Sequence, residues 1–309
     1  MKGPPPCTPS MLQTVTEQAC AKINLTLHVT GQRPDGYHLL DSLVVFASIA
    51  DTLTATAALE TTLAITGPFA ASIPATAENL VLRAARLIPT QTHFAFTLHK
   101  ALPPASGIGG GSADAAAALR AIAEFAPSEA AAQEYLATAT EKAGLLGADI
   151  PVCIASESAR MRGVGEQLCS VKIPPCWITL INPEVAVPTP AVFKALAQKP
   201  NPPMPDILLH WENARTLALW LHHQRNDLQP PAIATAPIIA EVLAALAQQP
   251  GALIARMSGS GATCFALFDT KAQAAAAADQ IRTSHPNWWC ASGSVLTQRP
   301  VPQEIRATT

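Results

Sequence analysis

A glycine-rich loop that runs directly into an alanine-rich segment constrains this chain most. Four of its 16 glycines fall within positions 107–111, and residues 113–125 follow with helical character. Glycine permits positive φ and close approach of the backbone to a ligand. A helix that begins there offers unpaired N–H groups and the positive end of its dipole. The segment therefore predicts either an anion site, with phosphate as the usual anion, or a flexible turn before a surface helix.

The loop does not match the two commonest glycine fingerprints. A P-loop ends in Gly-Lys-Ser/Thr, whereas Gly111 is followed by Ser112 with no lysine. A dinucleotide motif that began at Gly107 would need glycine at position 112, where serine stands. The loop therefore has to be interpreted by its own pattern, a proline-bounded entry, Gly-Ile-Gly-Gly-Gly-Ser and then a helix.

Composition excludes several classes of protein. A chain of 309 residues predicts two domains, and 49% hydrophobic residues are enough to bury sizeable cores. A net charge of −2 argues against nucleic-acid binding, and no apolar run is long enough to span a membrane. Residues 1–10 have no apolar segment typical of a secretory signal. The seven cysteines form no C-x-x-C pair, so we expect small buried side chains in a reducing, cytoplasmic compartment.

The order of predicted elements indicates the fold class. Alternating apolar patterns predict strands early in the chain, and period-3.6 patterns predict helices later. The predicted strands are 19–29, 43–49, 51–65, 94–99, 178–181, 252–257 and 263–268. The predicted helices are 78–88, 113–125, 128–143, 188–194, 208–224, 236–248 and 272–283. This order predicts an α+β fold whose two domains meet over a cleft.

Three polar residues outside the loop are candidates for chemistry. Lys22 and Asn24 lie two residues apart on a predicted strand and so share a face. They are either solvated side chains or a pair that holds a hydroxylated or phosphorylated substrate. Asp149 is the only charged residue in 144–155. It is either a turn or N-cap aspartate, or a carboxylate kept ionised by a lysine to accept a hydroxyl proton.

Three features near the glycine turns have more than one interpretation. Asp114, just inside the helix, is expected to complement the helix dipole. Ser112, at the junction of loop and helix, could reach a phosphate oxygen or Mg²⁺. The turn 258–261 is either a hairpin connection or a second set of N–H groups for the same phosphate chain.

Taken together, these segments resemble the GHMP kinases, the group of galactokinase, homoserine, mevalonate and phosphomevalonate kinases. Residues 103–116 are similar to the central motif of that family, and residues 256–262 to its C-terminal glycine motif. Further similarity covers 21–25, 30–38, 146–151, 163–166, 188–193 and 226–230, in the family's order. The resemblance implies an N-terminal domain like domain 2 of ribosomal protein S5 at 19–170 and a ferredoxin-like α/β domain at 171–309. Residues 1–18 are expected to form a disordered extension.

The resemblance also implies roles for single residues. Lys22 and Asp149 match the catalytic pair, and Asn24 would contact the alcohol part of the substrate. Tyr37 and Phe193 would stack on the two faces of a cytosine, with His38 at its polar edge. Nucleotide binding is implied for Asn79, Lys100, Pro103, Pro104, Ala105, Ser106, Gly107, Ile108, Gly109, Gly110, Gly111, Ser112, Ala113, Ser258, Gly259, Ser260 and Gly261. ATP and Mg²⁺ are the implied cofactors, with Ser112 as the residue facing the metal.

The function that the resemblance implies is ATP-dependent phosphorylation of the 2-hydroxyl of cytidine diphosphate methylerythritol. That reaction belongs to the non-mevalonate route to isoprenoid precursors. The alternatives are a mevalonate- or homoserine-type kinase and a nucleotide-binding module without activity. The expected protein binds a small molecule and neither nucleic acid nor membrane, and it is a monomer or weak homodimer.

Overall fold

The computed structural model describes residues 13–197, 200–206 and 210–306. Within them the strands are β1 (Gln13–Asn24), β2 (His28–Gln32), β3 (His38–Ala58), β4 (Thr62–Thr66), β5 (His93–His99), β6 (Ala159–Gly163), β7 (Gln167–Ser170), β8 (Trp177–Asn182), β9 (Ile254–Met257), β10 (Cys264–Phe268), β11 (Trp289–Ser294) and β12 (Gln303–Arg306). The α-helices are α1 (Leu80–Ala85), α2 (Gly110–Ala123), α3 (Glu129–Ala143), α4 (Ile150–Ala155), α5 (Thr189–Lys194), α6 (Ala214–His222), α7 (Gln229–Thr235), α8 (Ile238–Ala247) and α9 (Lys271–Ser284).

A mixed sheet of eight strands organises the first part of the chain. Its main path runs β12-β1-β3-β5-β4, with β2 and β6 also paired to β3 and β7 paired to β6. Burial alternates along the first half of β1, where Val15, Glu17 and Ala19 are buried. Its second half is buried throughout, because one face packs on an alanine-rich core and the other on a second core that includes Ile23 and Phe265. This places the end of β1 in the middle of the molecule.

Helix α2 lies at the centre of the first core. Residues Ala113–Ala123 of this helix are buried. Alanine has the highest helix propensity, and its small side chain lets the helix pack closely against α1, α4 and β1. Arg120 joins these elements, because its guanidinium bonds Glu17 Oε2 at 2.8 Å and donates to the carbonyls of Gln18 and Cys153. The helix that follows the glycine loop is therefore a buried helix.

An antiparallel sheet of four strands, in the order β11-β8-β10-β9, organises the second part. Helices α8 and α9 supply Ile239, Val242, Ala277 and Ile281 to a core that also contains Phe268. The predicted α+β class and the two-domain arrangement are confirmed. No helix among the described residues has the length and apolar character to cross a membrane.

Both ends of the described chain lie in the large sheet. Strand β12 pairs antiparallel with β1, with Gln13 opposite Arg306 and Thr16 opposite Gln303. The expected disorder of residues 1–18 is therefore wrong for 13–18, which are ordered by pairing with β3 and β12. Residues 1–12 lie outside the described part. The predicted division at 170/171 stays a prediction, and β12 shows that the chain returns to the first sheet after it.

Candidate active site

The glycine loop connects the end of β5 to α2 and depends on two left-handed glycines. Gly107 has φ +79° and Gly109, at the N-cap of α2, has φ +64°. Only glycine adopts these conformations without strain. The turn leaves the first N–H groups of α2 without partners inside the helix, and Gly110, Gly111 and Ser112 line a cleft there. Because α2 is buried, the loop does not precede a surface helix, as the flexible-turn interpretation requires. The observed geometry fits the anion-site interpretation.

The second glycine turn packs against the first. Ser258 Oγ donates to the carbonyl of Gly107 at 3.0 Å, and the Thr263 N–H donates to the carbonyl of Ser106 at 3.1 Å. A Cβ on Gly107 would lie 2.7 Å from the Ser258 carbonyl oxygen and 2.8 Å from that of Gly261. The two turns are thus in contact across the boundary of the sheets. Gly259 and Ser260 line the same cleft as the first loop.

Lys22 and Asp149 form an ion pair inside the cleft. Lys22 Nζ lies 2.7 Å from Asp149 Oδ1, with 5% of the lysine side chain and 33% of the aspartate side chain exposed. Lys22 lies near the end of β1 and packs against Gly109. A Cβ placed on Gly109 would lie 3.2 Å from the Lys22 Cβ. Asp149 precedes α4 but makes no side-chain cap hydrogen bond. Asp149 thus occupies the predicted N-cap position of α4, but its carboxylate pairs with Lys22 and does not cap the helix.

Asn24 lies next to this pair with an unpaired acceptor. Its Nδ2 donates to Ser42 Oγ at 2.7 Å, and Ser42 Oγ in turn donates to the Thr26 carbonyl. Its Oδ1 is buried without a hydrogen-bond partner. A buried amide oxygen without a partner is costly, and Asn24 is one of the residues that line the cleft.

The cleft itself has a volume of about 480 Å³, which is in the range of small-molecule sites. Lys22, Asn24 and Asp149 lie on one side with the first glycine loop. Val187, Thr189 and Phe193, from the second part of the chain, also line the cleft. Thr189 was not singled out from the sequence, and its hydroxyl bonds Ser260 Oγ at 2.7 Å.

The aromatic residues at one end of the cleft are arranged differently from the expected sandwich. The rings of His38 and Phe193 stack on each other, with centroids 4.5 Å apart and planes at 21°. Tyr37 is 64% exposed at the preceding position. His38 therefore covers a face of Phe193 instead of lying at the edge of a slot for a base.

Part of the predicted nucleotide set lines the cleft and part supports it from behind. Those lining it are Ala105, Ser106, Gly107, Gly109, Gly110, Gly111, Ser112, Gly259 and Ser260. Ile108 and Ala113 are buried in the two cores, and Pro103 is buried with its carbonyl bonded by Ser106 Oγ. Asn79 caps α1 by accepting from the Val81 N–H. Pro104, Ser258 and Gly261 are not among the lining residues.

The structure corrects the roles that the sequence predicts for Lys100 and Asp114. The resemblance implies that Lys100 binds the nucleotide, but its side chain is 1% exposed and its ammonium bonds Asp51 Oδ2 at 2.5 Å and Asp114 Oδ2 at 2.6 Å. Asp114 was expected to complement the helix dipole, yet it is a buried member of this cluster. Burial raises the pKa of Asp114 to about 7, against the opposing effect of Lys100. The expectation for Asp114 used a local rule and that for Lys100 used the family resemblance, and neither considered Asp51 on β3.

Two residues that hold the second glycine turn also had no role assigned from the sequence. Asn226 Nδ2 donates to the carbonyls of Met257 and Gly259, at 2.8 and 2.9 Å. The Arg256 guanidinium donates to the carbonyls of Leu25, Leu221 and Gln224, and burial lowers its pKa to about 10. Both residues lie in segments that resemble the GHMP kinases. That resemblance is the sequence signal that could have identified them. They join the end of β1 to the turn.

The fold and the paired glycine turns are those of a small-molecule kinase of the GHMP class. Residues 79–157 match the family model described as the GHMP kinases N-terminal domain, and residues 205–287 match GHMP kinases C terminal. A 4-diphosphocytidyl-2-C-methyl-D-erythritol kinase of Cereibacter sphaeroides is 58% identical over 90% of this chain and 98% of its own. The protein of the same name from Ruegeria pomeroyi is 53% identical over 90% and 98%.

Solved structures agree. A crystal structure of 4-(cytidine 5'-diphospho)-2C-methyl-D-erythritol kinase has a TM-score of 0.74 and 32% identity, covering 91% of this chain and 98% of that one. Homoserine kinase from Cytophaga hutchinsonii, at 18% identity and a TM-score of 0.61, shares the fold. The chain therefore belongs to the 4-diphosphocytidyl-2-C-methyl-D-erythritol kinase family, and the resemblance inferred from its motifs is confirmed.

Proposed function

We propose that this protein transfers the γ-phosphoryl group of ATP to the 2-hydroxyl of 4-diphosphocytidyl-2-C-methyl-D-erythritol. The observation that carries the proposal is the Lys22–Asp149 pair, at 2.7 Å, in a cleft lined by the glycine loop. Relatives that bear the name of this kinase are more than 50% identical over nine-tenths of the chain. They support the choice of substrate within the GHMP class.

In the proposed step the substrate oxygen attacks the γ-phosphorus while the bond from that phosphorus to the β–γ bridging oxygen breaks. The hydroxyl proton moves to the carboxylate of Asp149, and ADP leaves with the bridging oxygen. The ammonium of Lys22, 2.7 Å from Asp149 Oδ1, orients that carboxylate and stabilises negative charge near the reacting oxygen. The N–H groups of Gly110–Ser112 face the triphosphate and act by position and charge.

The same proposal assigns the binding of the alcohol and the base. Asn24 Oδ1, buried and without a partner, would accept a hydrogen bond from a hydroxyl of the methylerythritol part. Phe193 supplies an aromatic face for cytosine, and the exposed ring of Tyr37 closes over the base. His38, now stacked on Phe193, would move to the polar edge of the base.

The described residues fit a Mg²⁺ ion only if the nucleotide phosphates supply most of its ligands. Among them there is no group of three or more His, Cys, Asp or Glu side chains that could hold a metal. Mg²⁺ usually keeps several waters and binds one or two carboxylates together with substrate phosphates. We place Ser112 closest to such an ion, which would neutralise charge on the phosphates.

The proposal also covers the state of the protein in the cell. We expect a monomer or weak homodimer in the cytoplasm that acts on a free small molecule. A formal net charge of −2 gives it no electrostatic reason to bind nucleic acid.

The substrate assignment is tested by ADP release with the cytidylyl alcohol, mevalonate and homoserine as acceptors. Turnover with the cytidylyl alcohol alone is the expected result, because mevalonate and homoserine have no base to stack on Phe193. Turnover of mevalonate alone would contradict the assignment. No turnover with any acceptor, together with intact ATP binding, would favour the nucleotide-binding module.

Replacing Phe193 by alanine is expected to raise the KM for the cytidylyl alcohol about 5- to 160-fold and to leave the KM for ATP unchanged. Stacking of a base on an aromatic side chain contributes about 1–3 kcal/mol. Phe193→Tyr keeps the ring and serves as the matched control in steady-state kinetics. Equal KM values for Phe193→Ala and wild type would show that the base binds elsewhere.

A further inference from the structure

Three charged residues without a part in the proposed chemistry lie directly behind the glycine loop. Lys100 Nζ binds Asp51 and Asp114, and the three side chains are 1%, 0% and 5% exposed. The second oxygen of Asp114 is buried without a hydrogen-bond partner. No part of this cluster can therefore bind substrate directly.

Each residue of the cluster belongs to a different element that carries the loop. Asp51 lies on β3, Lys100 follows β5, and Asp114 lies on α2. Asp51 Oδ1 also accepts from the N–H groups of Ala101 and Leu102, at 2.6 and 2.8 Å. The cluster thus connects both the entry of the loop and the helix that follows it to the large sheet.

The ammonium of Lys100 lies immediately under the first residue of α2. A Cβ on Gly110 would be 3.2 Å from Lys100 Nζ and 3.9 Å from Asp51 Oδ2. The ammonium therefore packs closely against the start of α2, where the N–H groups of the loop lie. Gly110, Gly111 and Ser112, which carry these N–H groups, line the cleft.

Stability alone gives a poor explanation for such a cluster. Burying three charges requires their desolvation, and well-packed apolar residues in place of buried ion pairs are often as stable or more so. Burial raises the pKa of Asp114, and the charge of Lys100 acts in the opposite direction. Charged, hydrogen-bonded groups fix the orientation of the segments that they join. Apolar packing does not fix orientation in this way.

We propose that Asp51, Lys100 and Asp114 are positioning residues that set the orientation of the Gly110–Ser112 N–H groups toward the nucleotide triphosphate. The inference rests on the proposed function, since it requires that this loop bind ATP. It predicts a defect specific to ATP when the cluster is altered, because the alcohol site at Asn24 and Phe193 is built from other elements.

The test compares two buried carboxylates on or beside α2. Asp114→Asn removes a charge next to the loop, and Glu17→Gln removes one from the equally buried pair with Arg120, where both side chains are 2% exposed. Thermal midpoints and steady-state kinetics are measured for both. We expect Asp114→Asn to raise the KM for ATP about 10-fold or more and leave that for the alcohol unchanged, since small misplacements of binding groups have large kinetic effects. Glu17→Gln should lower the thermal midpoint without changing the KM for ATP.

Equal KM values for ATP in the two variants would overturn the inference. Asp51→Asn, which keeps an oxygen acceptor for Ala101 and Leu102, gives the same comparison if Asp114→Asn does not fold. Rescue provides the second readout, because Asp114→Glu should recover part of the ATP affinity that Asp114→Asn loses. Wild-type turnover of the cytidylyl alcohol, measured alongside, tests the proposed function separately.

Discussion

Replacing Asp149 by asparagine is expected to lower kcat by at least about 100-fold, the lower end of the range for loss of a general base. The amide has nearly the shape of the carboxylate but cannot take the hydroxyl proton. It also no longer matches the charge of Lys22, whose Nζ lies 2.7 Å from Asp149 Oδ1. Because Asp149 makes no cap hydrogen bond to α4, the fold should be little affected. Single-turnover kinetics and calorimetric titration with ATP measure the two effects separately.

Affinity for ATP should stay within about 3-fold of wild type, since the lost interaction acts mainly in the transition state. The matched control is Asp279→Asn, which removes the same charge from an exposed pair with Arg282 on α9. That variant should turn over as wild type does. A normal kcat for Asp149→Asn would show that another group accepts the proton.

Gly107→Ala is expected to weaken ATP binding by about 10-fold or more, equivalent to about 1.4 kcal/mol, and to lower the thermal midpoint. Two effects act together at this position. Alanine is strained at φ +79°, and its Cβ would lie 2.7 Å from the Ser258 carbonyl oxygen and 2.8 Å from that of Gly261. Since both contacts are with backbone, the two glycine turns would have to separate. Thermal shift and the KM for ATP report the change.

Gly144→Ala is the control for the loss of a glycine. Gly144 has φ −57°, and a Cβ there would have no atom within 4 Å. That substitution should leave ATP affinity unchanged and the thermal midpoint the same or slightly higher. If Gly107→Ala behaved in the same way, the contact between the turns would not matter for nucleotide binding.

The glycine loop could be predicted from the sequence because its causes are local. Successive glycines allow the left-handed turn, and alanines favour the helix that begins at Gly110. Alternating apolar patterns also predict the strand regions, but they do not predict where each strand begins and ends. The predicted strand 19–29 is divided between β1 and β2, and the predicted strands 43–49 and 51–65 fall largely within β3, which spans His38–Ala58. Pairing with several neighbours sets the length of β3, and alternation does not reveal those partners.

The contacts of the site depend on residues far apart in the chain. Lys22 and Asp149 were each candidates from the sequence, but only the fold shows that they meet. Asp114 was misinterpreted because a helix-dipole rule considers the helix alone, whereas its partner Lys100 follows another strand. The stacking of His38 on Phe193 depends on side-chain packing between the two parts of the molecule. Motifs identified these residues, and tertiary structure determined their contacts.

The pairing of β12 with β1 bears on how the protein is made. During synthesis β1 emerges before β12. The edge of β1 that pairs with β12 therefore stays unpaired until residues 303–306 have emerged. An unpaired edge of a strand is a site for wrong association between chains. The first sheet, with Lys22 near the end of β1, is thus completed only after residues 303–306 have been synthesised. The same pairing brings residues 13 and 306 side by side, so a short peptide could join them and new ends could be opened elsewhere.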